Sequence, residues 1–247
     1  MNVLILAGER AGGDPLARAE NVANKIDIQI LGKSMLNYVV DAVKSVRNVD
    51  TIFISTHDPQ NFSDVSCIAP AESPCKSVLK ALEQISYPVL LTTADHPLLT
   101  PTIIEQFLAQ AHENDADVCV GLVSLSLIKQ HYSNNRRTRL RFMGEAYSGA
   151  NLFYIKNSNA KSLFHFWQQV EEQRKSPLRM IRILGITPLM RYICRLLSMN
   201  DVIALISERT GTNILPVYLD NPHAGIDVDK PSDLALVREI MRTQNKG

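Results

Sequence analysis

Three carboxylates and a glycine-rich loop are the features of this 247-residue chain best suited to chemistry. Asp95 stands in Thr92-Thr93-Ala94-Asp95-His96-Pro97-Leu98-Leu99-Thr100, where an apolar run gives way to a proline-stiffened exit. A carboxylate there offers a hard oxygen ligand for Mg²⁺, with a simple turn cap as the alternative. Asp227 and Asp229 lie two residues apart in Gly225-Ile226-Asp227-Val228-Asp229-Lys230-Pro231-Ser232-Asp233-Leu234, on one face if the segment is extended. One of the pair supplies a second metal carboxylate on this reading, while an N-cap role for Asp229 stays open. Asp233 falls in the first turn of the following helix, where a negative charge complements the dipole. The loop Gly8-Glu9-Arg10-Ala11-Gly12-Gly13-Asp14-Pro15 lets backbone N–H groups approach phosphate oxygens. Its spacing matches neither the dinucleotide fingerprint nor the P-loop.

The elements that position these residues follow from periodicity. Val3 to Ala7 form a continuous apolar run that ends at Gly8, as a buried parallel strand does. Ser34 is a plausible N-cap for a helix carrying Leu36, Val39, Val40, Val43 and Val46, and residues 51–55 then read as a second strand. The alternation continues with a helix through Val78 to Ile85, a strand at 89–93, a helix at 103–111 and a strand at 117–123. Such a pattern predicts an α/β fold with a mostly parallel sheet and helices on both faces, and ligands then bind beyond the carboxyl ends of the strands. Regularity breaks after about residue 124. A strand at 151–155, two or three helices within 159–209, a strand at 214–219 and a helix from Pro231 complete the expectation of one domain over 1–247 with a helical elaboration at about 159–209.

Composition narrows the partners. With 45% hydrophobic residues, 21% charged and a formal net charge of +1, the chain has no global field for nucleic acid. Cys67, Cys75, Cys119 and Cys194 lack the close pairs of zinc or redox motifs and read as reduced, mostly buried thiols, which with the absence of a signal-peptide pattern predicts a cytoplasmic protein. The six histidines share no motif and read as structural. Arg137, Arg139 and Arg141 alternate on one face of a possible strand, either holding an anionic acceptor or solvating a sheet edge. From 178 to 199 apolar residues are interrupted by Arg179, Arg182, Arg191 and Arg195 and by Pro188, too charged for a membrane span. A helical flap on the core and a basic amphipathic surface touching the inner face of a membrane are its two readings.

Six short motifs occur in one order along nearly the whole chain: Leu6-Ala7-Gly8; Lys25 followed by Leu31-Gly32-Lys33-Ser34-Met35-Leu36; Ser73-Pro74 with Ser77-Val78-Leu79; Ala94 to Leu99; Ser148-Gly149-Ala150-Asn151; and Asp227 to Leu234. In this the sequence resembles the molybdenum-cofactor nucleotidyltransferase-like (MobA-like NTP transferase) proteins. The resemblance implies a Rossmann-like GT-A three-layer sandwich and a Mg²⁺-dependent transfer of NMP from an NTP, CTP slightly ahead of GTP, to a phosphorylated small molecule. It further implies that Ala7, Gly8, Glu9, Arg10, Gly12 and Gly13 hold the triphosphate, that Lys25 neutralises it, and that Ser73 and Ser77 lie near the base. Asp95 and Asp229, with Asp227 beside them, would hold Mg²⁺, and Gly149 and Asn151 would line the acceptor pocket. The chain departs from the family at Glu9, where a second glycine is usual, and in a longer loop to Lys25. The acceptor stays open among a molybdopterin, a sugar phosphate, a polyol phosphate and a phosphorylated small acid, as does the oligomeric state. A GT-A glycosyltransferase using an NDP-sugar and a nucleotide-binding module without catalysis are the competing readings.

Overall fold

The computed structural model describes residues 1–8, 13–57, 64–132, 140–141, 146–173, 183, 185, 187, 190 and 196–244. The strands are β1 (Asn2–Leu6), β2 (Gln29–Ile30), β3 (Lys33–Ser34), β4 (Ile52–Ser55), β5 (Val65–Ile68), β6 (Val89–Thr93), β7 (Val118–Ser124), β8 (Leu140–Arg141), β9 (Ala146–Ile155) and β10 (Ile214–Leu219). The helices are α1 (Pro15–Ala19), α2 (Met35–Lys44), α3 (Pro74–Ala81), α4 (Pro101–His112), α5 (Leu125–His131), α6 (Ala160–Gln173), α7 (Met199–Thr210) and α8 (Pro231–Gln244), with single 3₁₀ turns at Lys25–Asp27 and Pro222–Gly225. Helices start where the sequence supplies a cap. Ser34, Ser73 and Thr100 each accept a backbone N–H three residues on, and Pro74 and Pro101 take the next position, whose own N–H has no helical partner.

The central sheet runs β10-β7-β9-β6-β1-β4-β5, with short β8 paired to β9. Parallel pairing joins β1 to β4 and β6, β4 to β5, and β7 to β10. β9 is inserted antiparallel, between β6 and β7. The alternation of β1 divides the core: Val3 and Ile5 pack with α2 and α4 on one face, and Leu4 with α3 and α6 on the other. Each of these side chains is fully buried, as a strand covered on both faces requires. A third cluster ties Leu16 of α1, the β2–β3 hairpin and the apolar face of α8 together.

The expected α/β architecture is therefore observed, with differences where pairing rather than periodicity decides. β9 begins at Ala146, earlier than the expected 151, because its first residues pair with the end of β7. α1, the β2–β3 hairpin, β5 and α5 are too short for a periodic signal. In the region of the expected elaboration, α6 and α7 form the two ends, and most of 174–195 lies outside the described residues. No helix among the described residues is long and apolar enough to cross a membrane.

Candidate functional site

All three conspicuous carboxylates meet beyond the carboxyl end of β6. Asp95 follows β6 by two residues, and its backbone carbonyl accepts the N–H of Val228 at 2.8 Å. That bond lays the segment carrying Asp227 and Asp229 beside Asp95. The close approach depends on Gly225, because a Cβ there would stand 2.6 Å from Ile128 Cδ1 and 3.2 Å from Val123 Cβ. Asp233 does what its place in the first turn suggests. Its Oδ2 accepts the N–H groups of Asp229 and Lys230 at 3.2 Å each, which fixes the backbone from which the Asp229 side chain reaches Lys25.

Lys25, on the 3₁₀ turn, donates to Asp95 Oδ2 at 2.8 Å and to Asp229 Oδ1 at 3.1 Å. Thr93 Oγ1 donates to the other Asp95 oxygen at 2.6 Å. Burial on its own would lower the lysine's pKa, but the charges and hydrogen bonds of Asp95 and then Asp229 hold it above its ordinary value. Burial likewise works against Asp95, and the Lys25 charge and hydrogen bond, helped by Thr93, bring the carboxyl below its usual range. Both groups are charged at neutral pH.

Oxygens of Asp95, Asp227 and Asp229 lie within 4.8 Å of one another. Around an octahedral Mg²⁺ neighbouring ligand oxygens stand about 2.9 Å apart and opposite ones about 4.2 Å, so this all-oxygen donor set suits the ion once its members draw together. Asn151 supports the set from β9, its Nδ2 lying 3.5 Å from Asp227 Oδ2. A bulge makes this reach possible. Val120 pairs with Phe153 and Leu122 with Gly149, so Ala150, Asn151 and Leu152 together oppose Gly121, and Asn151 adopts a left-handed φ of 51°. Asparagine tolerates that conformation better than most residues.

A cleft of about 360 Å³ opens beside Lys25 and Asp95. Ala7, Gly8, Ser73 and Ser77 line it. Ala7 donates to the Ser55 carbonyl at 3.0 Å, and the Ser77 hydroxyl accepts from Ala71 N and donates to Ser73 O, so the turn before α3 is a self-bonded wall. Gly13 has a φ of +79°, a conformation that glycine adopts without strain. Gly149 is exposed on β9, and neither it nor Asn151 lines this cleft. Glu9, Arg10, Gly12, Arg137 and Arg139 lie outside the described residues.

Sequence reasoning passed over several lining residues, among them Asn24, Ser55, Glu72 and Glu171. Glu171 projects from α6, far along the chain from every motif, and only its place on the face of an amphipathic helix could have drawn attention to it. Its carboxylate neighbours Cys75, whose thiol is pushed up to about 12 by burial and by the Glu171 charge. Cys119 is likewise buried, which holds its thiol above the ordinary value, whereas Cys67 is exposed. The structural reading of the histidines extends to His96 and His223: the His96 ring meets the His223 carbonyl at 3.1 Å, and the His223 ring meets the Tyr132 hydroxyl at 2.7 Å.

A family model described as the MobA-like NTP transferase domain matches residues 3–131, more than half of the chain. No curated protein matches the sequence. Among solved structures, a hypothetical transferase from Thermus thermophilus covers 94% of this chain and 98% of its own, with a TM-score of 0.82 at 22% identity. CMP:2-keto-3-deoxy-manno-octonic acid synthetase in complex with CTP covers 98% of both chains, with a TM-score of 0.61 at 15% identity. The 2-C-methyl-D-erythritol 4-phosphate cytidylyltransferase of Thermus thermophilus also covers 98% of both, with a TM-score of 0.56 at 14% identity. At these identities the likeness is one of fold.

Proposed function

The chain belongs to the MobA-like NTP transferase family, and from that premise we propose that it transfers NMP from an NTP, with CTP ahead of GTP, to a phosphorylated small-molecule acceptor, releasing pyrophosphate. The observation that carries the reading is the Lys25–Asp95–Asp229 constellation at one end of the cleft, which Gly8 also lines. Two neighbours of the same fold are by name a cytidylyltransferase and a CTP-bound synthetase, which supports the order of donors. One unit spanning 1–247, with 159–209 as a helical elaboration, and a cytoplasmic location belong to the same proposal.

On this reading an acceptor phosphate oxygen attacks the α-phosphorus, the bond to the bridging oxygen breaks, and pyrophosphate leaves. The phosphate nucleophile is already ionised at neutral pH, so no side chain has to remove its proton. Mg²⁺ on Asp95, Asp229 and Asp227 would supply charge neutralisation to the transferring group. Lys25 orients and neutralises the triphosphate, and the N–H groups of the Gly8 loop donate to its oxygens. Asn151 holds Asp227 in place.

Thermal shift with each of the four NTPs and Mg²⁺, followed by pyrophosphate release with a panel of phosphorylated acceptors, tests the proposal. A ligand that binds only the native state raises its melting temperature, and CTP is expected to do so more than NDP-sugars or NAD. Preferential stabilisation by an NDP-sugar, or no response to millimolar NTP, would overturn it.

A further inference from the structure

Asn24 lines the cleft beside Lys25, immediately before the 3₁₀ turn. In that position an asparagine side chain ordinarily accepts a backbone N–H from the turn that follows. Here it does not. The Asn24 carbonyl accepts the N–H of Asp27 at 3.1 Å, but the side-chain amide caps nothing and makes no hydrogen bond among the described residues. The residue is only 8% exposed, and polar side chains buried to that degree are as a rule bonded. Ser55 Oγ, on the same wall, is shut off from solvent altogether, whereas neither amide atom of Asn24 is. Asn24 thus offers the cleft one acceptor and two donors that the empty protein leaves unused.

A partner for this amide has to donate as well as accept. A magnesium-bound triphosphate presents only acceptors at neutral pH, so it would satisfy Nδ2 and set negative charge against Oδ1. Neighbouring Cα atoms stand about 3.8 Å apart, which keeps Asn24 close to whatever Lys25 neutralises. On the proposed reaction that is the phosphate chain, and the group joined to it that both donates and accepts is the nucleoside, through its ribose hydroxyls or its base edge.

We propose that Asn24 binds the nucleoside half of the nucleotide, donating from Nδ2 and accepting at Oδ1, and so holds sugar and base in register while Lys25 holds the phosphates. An amide can turn over and match such an edge in either sense, so the contact fixes position and does not choose between bases. The inference rests on the nucleotidyltransferase reading.

Calorimetry on the full chain with Mg²⁺ tests it, using whichever of CTP and GTP binds the more tightly and, beside it, inorganic tripolyphosphate. Asn24→Ala should weaken the nucleotide about tenfold, the worth of two neutral hydrogen bonds, and leave tripolyphosphate within about twofold of the wild type. Without ligand the variant should melt at or above the wild-type temperature, because the missing amide bonds to nothing in the empty protein. With the 2′,3′-dideoxy nucleotide the substitution should cost nothing if the ribose hydroxyls are the partner, and the same factor as before if the base edge is. Unchanged nucleotide affinity, equal weakening of nucleotide and tripolyphosphate, or a lower melting temperature of the unliganded variant would overturn the assignment while nucleotide binding stands. Should neither nucleotide bind the wild type, both this inference and the reading beneath it fall.

Discussion

The two ends of the cleft are prepared in opposite ways. At the Lys25 end the ionic groups satisfy one another before any ligand arrives: the ammonium bridges Asp95 and Asp229, and Thr93 fixes the second Asp95 oxygen. At the Glu171 end, Ser55 Oγ and Glu171 Oε2 are left unpaired. Occupying the first end means exchanging partners, so its ligand must displace an existing salt bridge; the unpaired atoms of the second are closed off by the protein itself. The first arrangement protects against an uncompensated charge cluster, and the second leaves unpaired polar atoms inside the wall, at a cost to stability.

The sharpest way to test the first half of that contrast is to remove its carboxylates. Asp95→Asn and Asp229→Asn should each lower the rate of pyrophosphate release by about a thousandfold, since each deletes a charge that neutralises the reacting phosphates without changing shape. Asp227→Asn should do less, because Asp227 is bonded to Asn151 and not to Lys25. Equal losses at 227 and 229 would erase the distinction between them.

Next in size is Lys25→Met. With the ammonium gone, Mn²⁺ followed by electron paramagnetic resonance without nucleotide should bind at least about tenfold more tightly than to the wild type, while triphosphate binding weakens. If Mn²⁺ affinity is unchanged, the bridge imposes no exchange and the two ends are alike.

A pH series measures the same bridge through stability. Asp95 is held below its ordinary 3.8 in the folded chain, so its contribution is present above that value and is lost as pH falls through the depressed one. Lys25 is held above 10.5, so its contribution is present below that value and is lost as pH rises through the elevated one. The gap in melting temperature between wild type and Asp95→Asn should therefore hold from about pH 5 to 9 and narrow only as the pH falls below 3.8 toward the depressed value. A gap that grows in acid would contradict the pairing.

The smallest expected effect is that of Gly225→Ala, which presses a methyl group on Ile128 and Val123. It should cost about 1 kcal/mol of stability in denaturant melts, since the nearer atom ends a side chain that can turn aside. Turnover should fall several-fold as Asp227 moves.

Much of this was legible beforehand. The strands at 89–93 and 214–219 follow from short, largely apolar runs, and Asp95 was marked by standing just past the end of one of them. Periodicity reports which residues are buried, not which strands pair, so nothing in 146–155 disclosed that β9 runs antiparallel between β6 and β7 or that its bulge turns Asn151 toward Asp227. Glu171 was silent for a related reason. A glutamate on the polar side of a helix looks solvated until the fold lays that helix along a cleft.

That insertion of β9 also constrains how the chain can be made. β6 and β7 are successive strands of the first half, yet they have no hydrogen bonds to each other; each pairs with β9, which is not complete until residue 155. A nascent chain that has emerged only through α5 therefore holds two unpaired strand edges facing a gap. The gap is filled by contacts spanning some tens of residues, which form late when loop closure must come first. A chain cut after residue 131 would keep the glycine loop, Lys25 and Asp95 but leave β7 with no strand to join it to the β6-β1-β4-β5 fragment, so the first half carries much of the chemistry without being a foldable piece.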